Sequence, residues 1–180
     1  MKLNLTQGGK KADLSLLFEN MQPRETPLFD TKDHRRAMDK IAALVNVRER
    51  TAKECRIRLA EAGFEDGLTQ EVVDRALACG LIDEQRYAAA FIKGKVRQGW
   101  GKKKILMRLQ EDGVGTDTIQ ACSQYFASPQ EEYERALFEL AKRSVNSKNP
   151  RATLTRRLLQ KGYSAELTNR AVSDFMSRSA

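Results

Sequence analysis

From Asp33 onward, apolar residues recur at helical spacing. Met38, Ile41, Ala42 and Val45 fall at i, i+3, i+4 and i+7 of one face, which predicts a helix from Asp33 to about Val47. Thr51-Ala-Lys-Glu54 has the spacing of a capping box and predicts a second helix, with Cys55, Leu59 and Ala62 inward and Gly63 as its left-handed stop. A third is expected to open at Thr69, with Val72, Val73, Ala76 and Leu77 inward and Gly80 ending it. Asp83 predicts the cap of a fourth, whose apolar face is Ala88, Phe91, Ile92 and Val96, and Gly99 and Gly101 flank the break that follows. A fifth runs from Lys102 to Asp112 on Ile105, Leu106 and Leu109; Gly113 stops it, and Thr116 is expected to cap a sixth carrying Ile119, Cys122 and Phe126. Ser128-Pro-Gln-Glu131 is a second capping box and opens a seventh helix on Tyr133, Leu137, Leu140 and Ala141. Asn149-Pro150 opens an eighth on Leu154, Leu158 and Leu159, stopped by Gly162, and Ser164 a ninth on Leu167, Ala171, Val172 and Phe175.

The helix stops reveal a repeat. Arg58-Leu59 precedes Gly63-Phe64, Arg108-Leu109 precedes Gly113-Val114, and Arg157-Leu158 precedes Gly162-Tyr163, each followed by a hydroxyl three positions before an apolar residue: Thr69, Thr116 and Ser164. Three helices per unit predict an all-α protein, an elongated row of three tandem three-helix bundles, nine helices behind an N-terminal arm. The expected division is an arm over 1–32 and repeats over 33–80, 81–127 and 128–180. Within the arm, Leu14, Leu16, Leu17 and Phe18 suffice for a short helix or docking segment, read as a tail packed loosely on its own domain.

Charge separates along this repeat. Between Glu84 and Glu111 there is no acid, and Arg86, Lys93, Lys95, Arg97, Lys102, Lys103, Lys104 and Arg108 sum to +8, the formal charge of the whole chain. Between Leu140 and Ala165 a second acid-free stretch holds Lys142, Arg143, Lys148, Arg151, Arg156, Arg157 and Lys161. Clustered cations gain affinity by displacing counterions from a polyanion, so repeats two and three are expected to carry matching contact patches. The candidate contact residues are Lys93, Lys95, Arg97, Trp100, Lys102, Lys103, Lys104, Arg108, Arg151, Arg156, Arg157 and Lys161. Consecutive lysines 102 to 104 cannot share a helix face, which favours phosphate tracking or an acidic protein groove over base readout. Trp100 can stack on a base or plug the seam between bundles two and three; the plug is favoured.

No catalytic constellation is found. Asp83-Glu84 and Glu131-Glu132 sit at helix starts, where free amides and the macrodipole favour carboxylates, so capping is their expected role. Cys55, Cys79 and Cys122 form no C-x-x-C pair and are expected to be buried reduced thiols; His34 lacks a nearby cysteine, so no zinc site and no cofactor are expected. Without an apolar leader or membrane-length run, the chain is expected to be cytoplasmic, off the membrane and monomeric.

Leu81-Ile82-Asp83-Glu84-Gln85-Arg86-Tyr87-Ala88, then Phe91-Ile92, Gly99-Trp100-Gly101, Ile105, Leu109 and Gly113-Val114 resemble the bacterial RecX regulatory proteins, modulators of the RecA recombinase. Arg48, Thr51, Glu54, Arg58 and Leu59 resemble the family's opening helix pair; the third repeat matches at Arg157, Leu158, Gly162-Tyr163 and Phe175. The likeness spans about residues 36 to 176 and departs at Glu84, where the family usually has a second aspartate. It implies a non-enzymatic regulator with three tandem three-helix bundles that lies in the groove of the RecA–DNA filament, inhibits or modulates its ATPase, strand exchange and coprotease activities, and touches DNA weakly through the backbone. The alternative is a helical protein that binds nucleic acid on its own.

Overall fold

The thrice-written Leu-x-x-x-Gly-apolar signature is a helix-ending device. Phe64, Val114 and Tyr163 each return their backbone N–H to the carbonyl of Leu59, Leu109 and Leu158, at 3.2, 3.0 and 3.2 Å. Gly63, Gly113 and Gly162 take the intervening positive φ of 83°, 87° and 88°. This is the Schellman closure, in which the apolar residue after the glycine packs on the leucine five positions earlier. Val114 and Tyr163 are buried there, and Phe64 packs on the first core.

The computed structural model describes residues 31–142 and 146–178; the N-terminal arm up to residue 30 and Arg143 lie outside the described residues. Among those described are nine α-helices and no strand. They are α1 (Lys32–Val47), α2 (Ala52–Ala60), α3 (Asp66–Ala78), α4 (Glu84–Arg97), α5 (Lys102–Glu111), α6 (Thr116–Ala121), α7 (Pro129–Ala141), α8 (Pro150–Lys161) and α9 (Ala165–Arg178), with a 3-10 turn at Ser123–Tyr125 after α6. The chain is three tandem three-helix bundles, each around its own apolar cluster. Ile41, Leu59 and Val73 centre the first, Ile92, Ile105 and Leu109 the second, and Leu140, Leu158 and Val172 the third. Leu81 and Ile82 also pack on the first core.

Several local expectations are corrected. Thr69 and Thr116 do not cap their helices: α3 starts behind Glu65 and α6 behind Gly115, while Ser164 Oγ does accept the Leu167 N–H at 3.2 Å. The repeat therefore aligns Glu65, Gly115 and Ser164, and sets Thr69 level with Ile119 and Thr168 in the core. Thr51 caps α2, but the Glu54 side chain turns to Arg48 and Arg50 instead of completing the box. Cys55 and Cys122 are buried, and burial pushes the Cys55 thiol up to about 11; Cys79 is exposed. Leu77 and Leu159, expected inward, lie at the surface, as does Ala62.

The middle helices of the bundles stack head to tail. At the α8–α5 joint the Gly101 and Lys103 N–H groups donate to the carbonyls of Lys161 and Gly162, at 2.9 and 3.1 Å. Three lysines in the first turn of α5 oppose the positive end of its macrodipole. The joint offsets this: α8 brings its negative end to those amides, and Glu132 Oε1 of α7 accepts the Lys102 N–H at 2.8 Å. Gly101 is required because a Cβ would run into the backbone of Gly162. At the α5–α2 joint, Lys53 Nζ reaches the Glu111 carbonyl at 2.7 Å and Glu84 Oε1 accepts the Ala52 N–H at 3.4 Å.

Candidate partner-binding interface

Each adjacent carboxylate pair divides its work. Asp83 accepts the N–H groups of Gln85 and Arg86 on its own helix, and Glu131 that of Ser128, while Glu84 and Glu132 reach across to the preceding bundle's middle helix. The capping role holds, but half of it runs between bundles, one bundle capping its neighbour. No group of three or more His, Cys, Asp or Glu among the described residues could hold a metal ion. None of the described helices is long and apolar enough to cross a membrane.

The twelve candidate contact residues do not form one strip; neighbouring elements sort them into four settings. In the first, Lys104 ties bundle two to bundle three, while Arg157 and Lys161 tie α8 to α7 within bundle three. Lys104 Nζ donates to the Gln160 carbonyl at 3.2 Å, Arg157 to that of Leu140 at 3.4 Å, and Lys161 pairs with Glu139 at 3.2 Å. Burial opposes the charge on Glu139, which is 5% exposed, yet Lys142 and Lys161 hold its carboxyl below the ordinary range. Tyr163 completes the junction by donating its hydroxyl to the Gly99 carbonyl at 3.2 Å.

In the second setting, Lys93 and Lys102 lie over the rings of Tyr125 and Phe126, at 4.1 and 5.3 Å from the centroids. In the third, Lys95, Trp100 and Arg108 face a cleft of about 860 Å³ between bundles one and two. Trp100 is half-buried on the second core with Lys95 and Lys104 at 4.6 and 4.4 Å from its ring, so it is not the plug between bundles two and three. Gly99 and Gly101 line that seam instead, where a Cβ would run into the Glu139 side chain and the Gly162 backbone, and Tyr163 is the aromatic side chain that reaches across it. Arg108 is paired with Asp112 at 3.2 Å and Glu111 at 3.6 Å. The Tyr87 hydroxyl donates to Asp112 at 2.8 Å, and burial together with this bond pushes its phenol well up.

The fourth setting is open to solvent. Arg97, Lys103, Arg151 and Arg156 are exposed, and none of the four has a carboxylate partner among the described residues. Arg151 and Arg156 share a shallow face of α8 with Asn149, Thr155, Leu159 and Gln160, and no acid lines it. The first-bundle wall of the cleft, with Arg48, Glu54, Ile57, Arg58 and Glu61, was invisible to charge clustering because its signs alternate. Its one sequence signal is Ile57, an apolar residue out of phase with Cys55 and Leu59 and 48% exposed.

Known proteins give this arrangement a context. The family model described as "RecX, second three-helix domain" matches residues 83–122. The regulatory protein RecX of Mycobacterium avium is 32% identical over 136 residues, covering 69% of this chain and 75% of that one. Its counterpart in Pseudomonas entomophila is 29% identical over 144 residues, covering 77% of this chain and 88% of that one. The crystal structure of RecX from Lactobacillus salivarius superimposes with a TM-score of 0.67 at 16% identity, covering 79% of this chain and 96% of that one. Three bundles closed by one repeated signature, the same fold, and a similarity running most of the length of both chains together lead to one conclusion: the chain belongs to the RecX family of regulatory proteins.

Proposed function

We propose that this protein binds the RecA–DNA filament and restrains it, using cations of the second and third bundles against the polyanionic groove. The three units, taken as residues 33–80, 81–127 and 128–180, would span neighbouring RecA subunits and hinder their addition or their closure on ATP. The observation that carries this reading is the acid-free face of α8, where Arg151 and Arg156 are exposed beside Thr155 and Gln160. Cations not already neutralised are the ones that release counterions from phosphate on contact. The head-to-tail joints support the reading as well, because they hold successive bundles at set spacing, which a periodic partner requires.

Lys103, Arg151 and Arg156 are the positions that test it, since Lys104 and Lys161 would damage the junction when changed. Replacing these three by glutamate is expected to weaken binding to RecA assembled on single-stranded DNA and to flatten its salt dependence by about 0.7 log units of slope per lost phosphate contact. An unchanged affinity and slope would refute the assignment. A gel shift at about 150 mM salt without RecA separates this reading from a protein that binds nucleic acid alone. Only weak association with free DNA is expected, and tight binding would favour the alternative.

A further inference from the structure

We propose that the cleft between the first and second bundles is a docking pocket for a polypeptide segment that presents an apolar side chain next to a carboxylate. This rests on the filament-binding reading above and assigns to the cleft the protein side of that contact. The cleft has a volume of about 860 Å³, and Ile57, Phe91 and Trp100 supply an apolar surface within it. That volume is in the range of sites that enclose a compact ligand or an anchoring side chain, about 300–1,000 Å³. Ile57 is 48% exposed there, an aliphatic side chain that the chain itself leaves uncovered.

Charge then selects the occupant. The rim arginines are already neutralised: Arg48 pairs with Glu54 at 2.7 Å, Arg58 with Glu61 at 2.9 Å, and Arg108 with Asp112 at 3.2 Å. Two cations remain whose polar partners are neutral. Lys53 donates to the Glu111 carbonyl at 2.7 Å, and Lys95 to the Gln98 side-chain oxygen at 3.2 Å while lying over Trp100. A single incoming carboxylate can exchange those neutral acceptors for a charge-assisted pair. A nucleic-acid strand brings a charge at every nucleotide and would meet the paired carboxylates of both walls, so counterion release has little to gain here. An anchor on the Trp100 ring with an acid beside Lys95 satisfies both features at once.

Ile57→Asp and Ala90→Glu test the pocket, since both side chains lie in the cleft at exposed positions and circular dichroism can verify that the fold persists. Fluorescence anisotropy would measure binding to RecA filaments on single-stranded DNA and, separately, to the free oligonucleotide. Each variant is expected to bind the filament about tenfold more weakly and the oligonucleotide within about twofold of the unsubstituted protein. A benzophenone side chain placed at Ala90 is expected to cross-link to RecA polypeptide. Unchanged filament affinity in folded variants, a parallel loss of oligonucleotide binding, or cross-linking to DNA would each overturn the pocket. If the unsubstituted protein does not bind the filament, the proposed function falls and the pocket with it; if it binds and both variants match it, the pocket alone falls.

Discussion

Thr69 and Thr168 hold equivalent places in bundles one and three, both buried with hydroxyls that find no partner, while the second bundle has Ile119 there. A buried hydroxyl without a hydrogen bond costs about 1–3 kcal/mol. Thr168→Val is therefore expected to raise stability by about 1 kcal/mol in urea unfolding; a loss of stability would mean that the hydroxyl is satisfied in solution. The glycines divide just as sharply. Gly101→Ala drives a Cβ into the Gly162 backbone and is expected to cost about 1–3 kcal/mol, as overpacking does. Gly94 lies within α4 with open space where a Cβ would go, so Gly94→Ala should stabilise by about 0.5–1 kcal/mol. The left-handed stops were legible in the sequence because a helix end demands them locally. The need for glycine at 101 was not, since it comes from a backbone 61 residues further along the chain.

At the scale of helices, periodicity placed all nine elements because each buries one apolar stripe against two partners in its own bundle. The caps were less legible: a threonine at the right distance from an apolar residue resembles a cap and, at Thr69, is a core residue. The carboxylate pairs carried a second meaning that only the joints disclose. Glu132→Ala is expected to destabilise by about 1 kcal/mol, the usual cost of a lost cap, and to couple to Gly101→Ala in a double-mutant cycle because both act on the first turn of α5. The same junction gives an acid response. With the folded carboxyl of Glu139 held below its ordinary value of 4.5, its stabilisation is complete above that value and is lost as pH falls through the lower folded one. Unfolding measured between about pH 3 and 6 should show stability falling toward the acid side, and Glu139→Gln should flatten that slope. A variant as acid-sensitive as the parent would place the titrating group elsewhere.

For the whole molecule, net charge and its clustering pointed to a polyanionic partner, but clustering overstated the surface. Of the basic residues counted together in the sequence, Lys104 joins two bundles, Arg157 and Lys161 tie two helices of the third, Arg108 is paired with its own acids, and Arg97, Lys103, Arg151 and Arg156 remain open. A sum of charges does not register which side chains a fold consumes. Open cations that let the chain restrain the RecA filament would act on the DNA-dependent ATPase of RecA. Titrating the unsubstituted protein into that reaction is expected to suppress it, and the Lys103→Glu, Arg151→Glu, Arg156→Glu variant to lose most of the suppression while keeping its helical content. Suppression retained in full by that folded variant would mean that these cations do not restrain the filament.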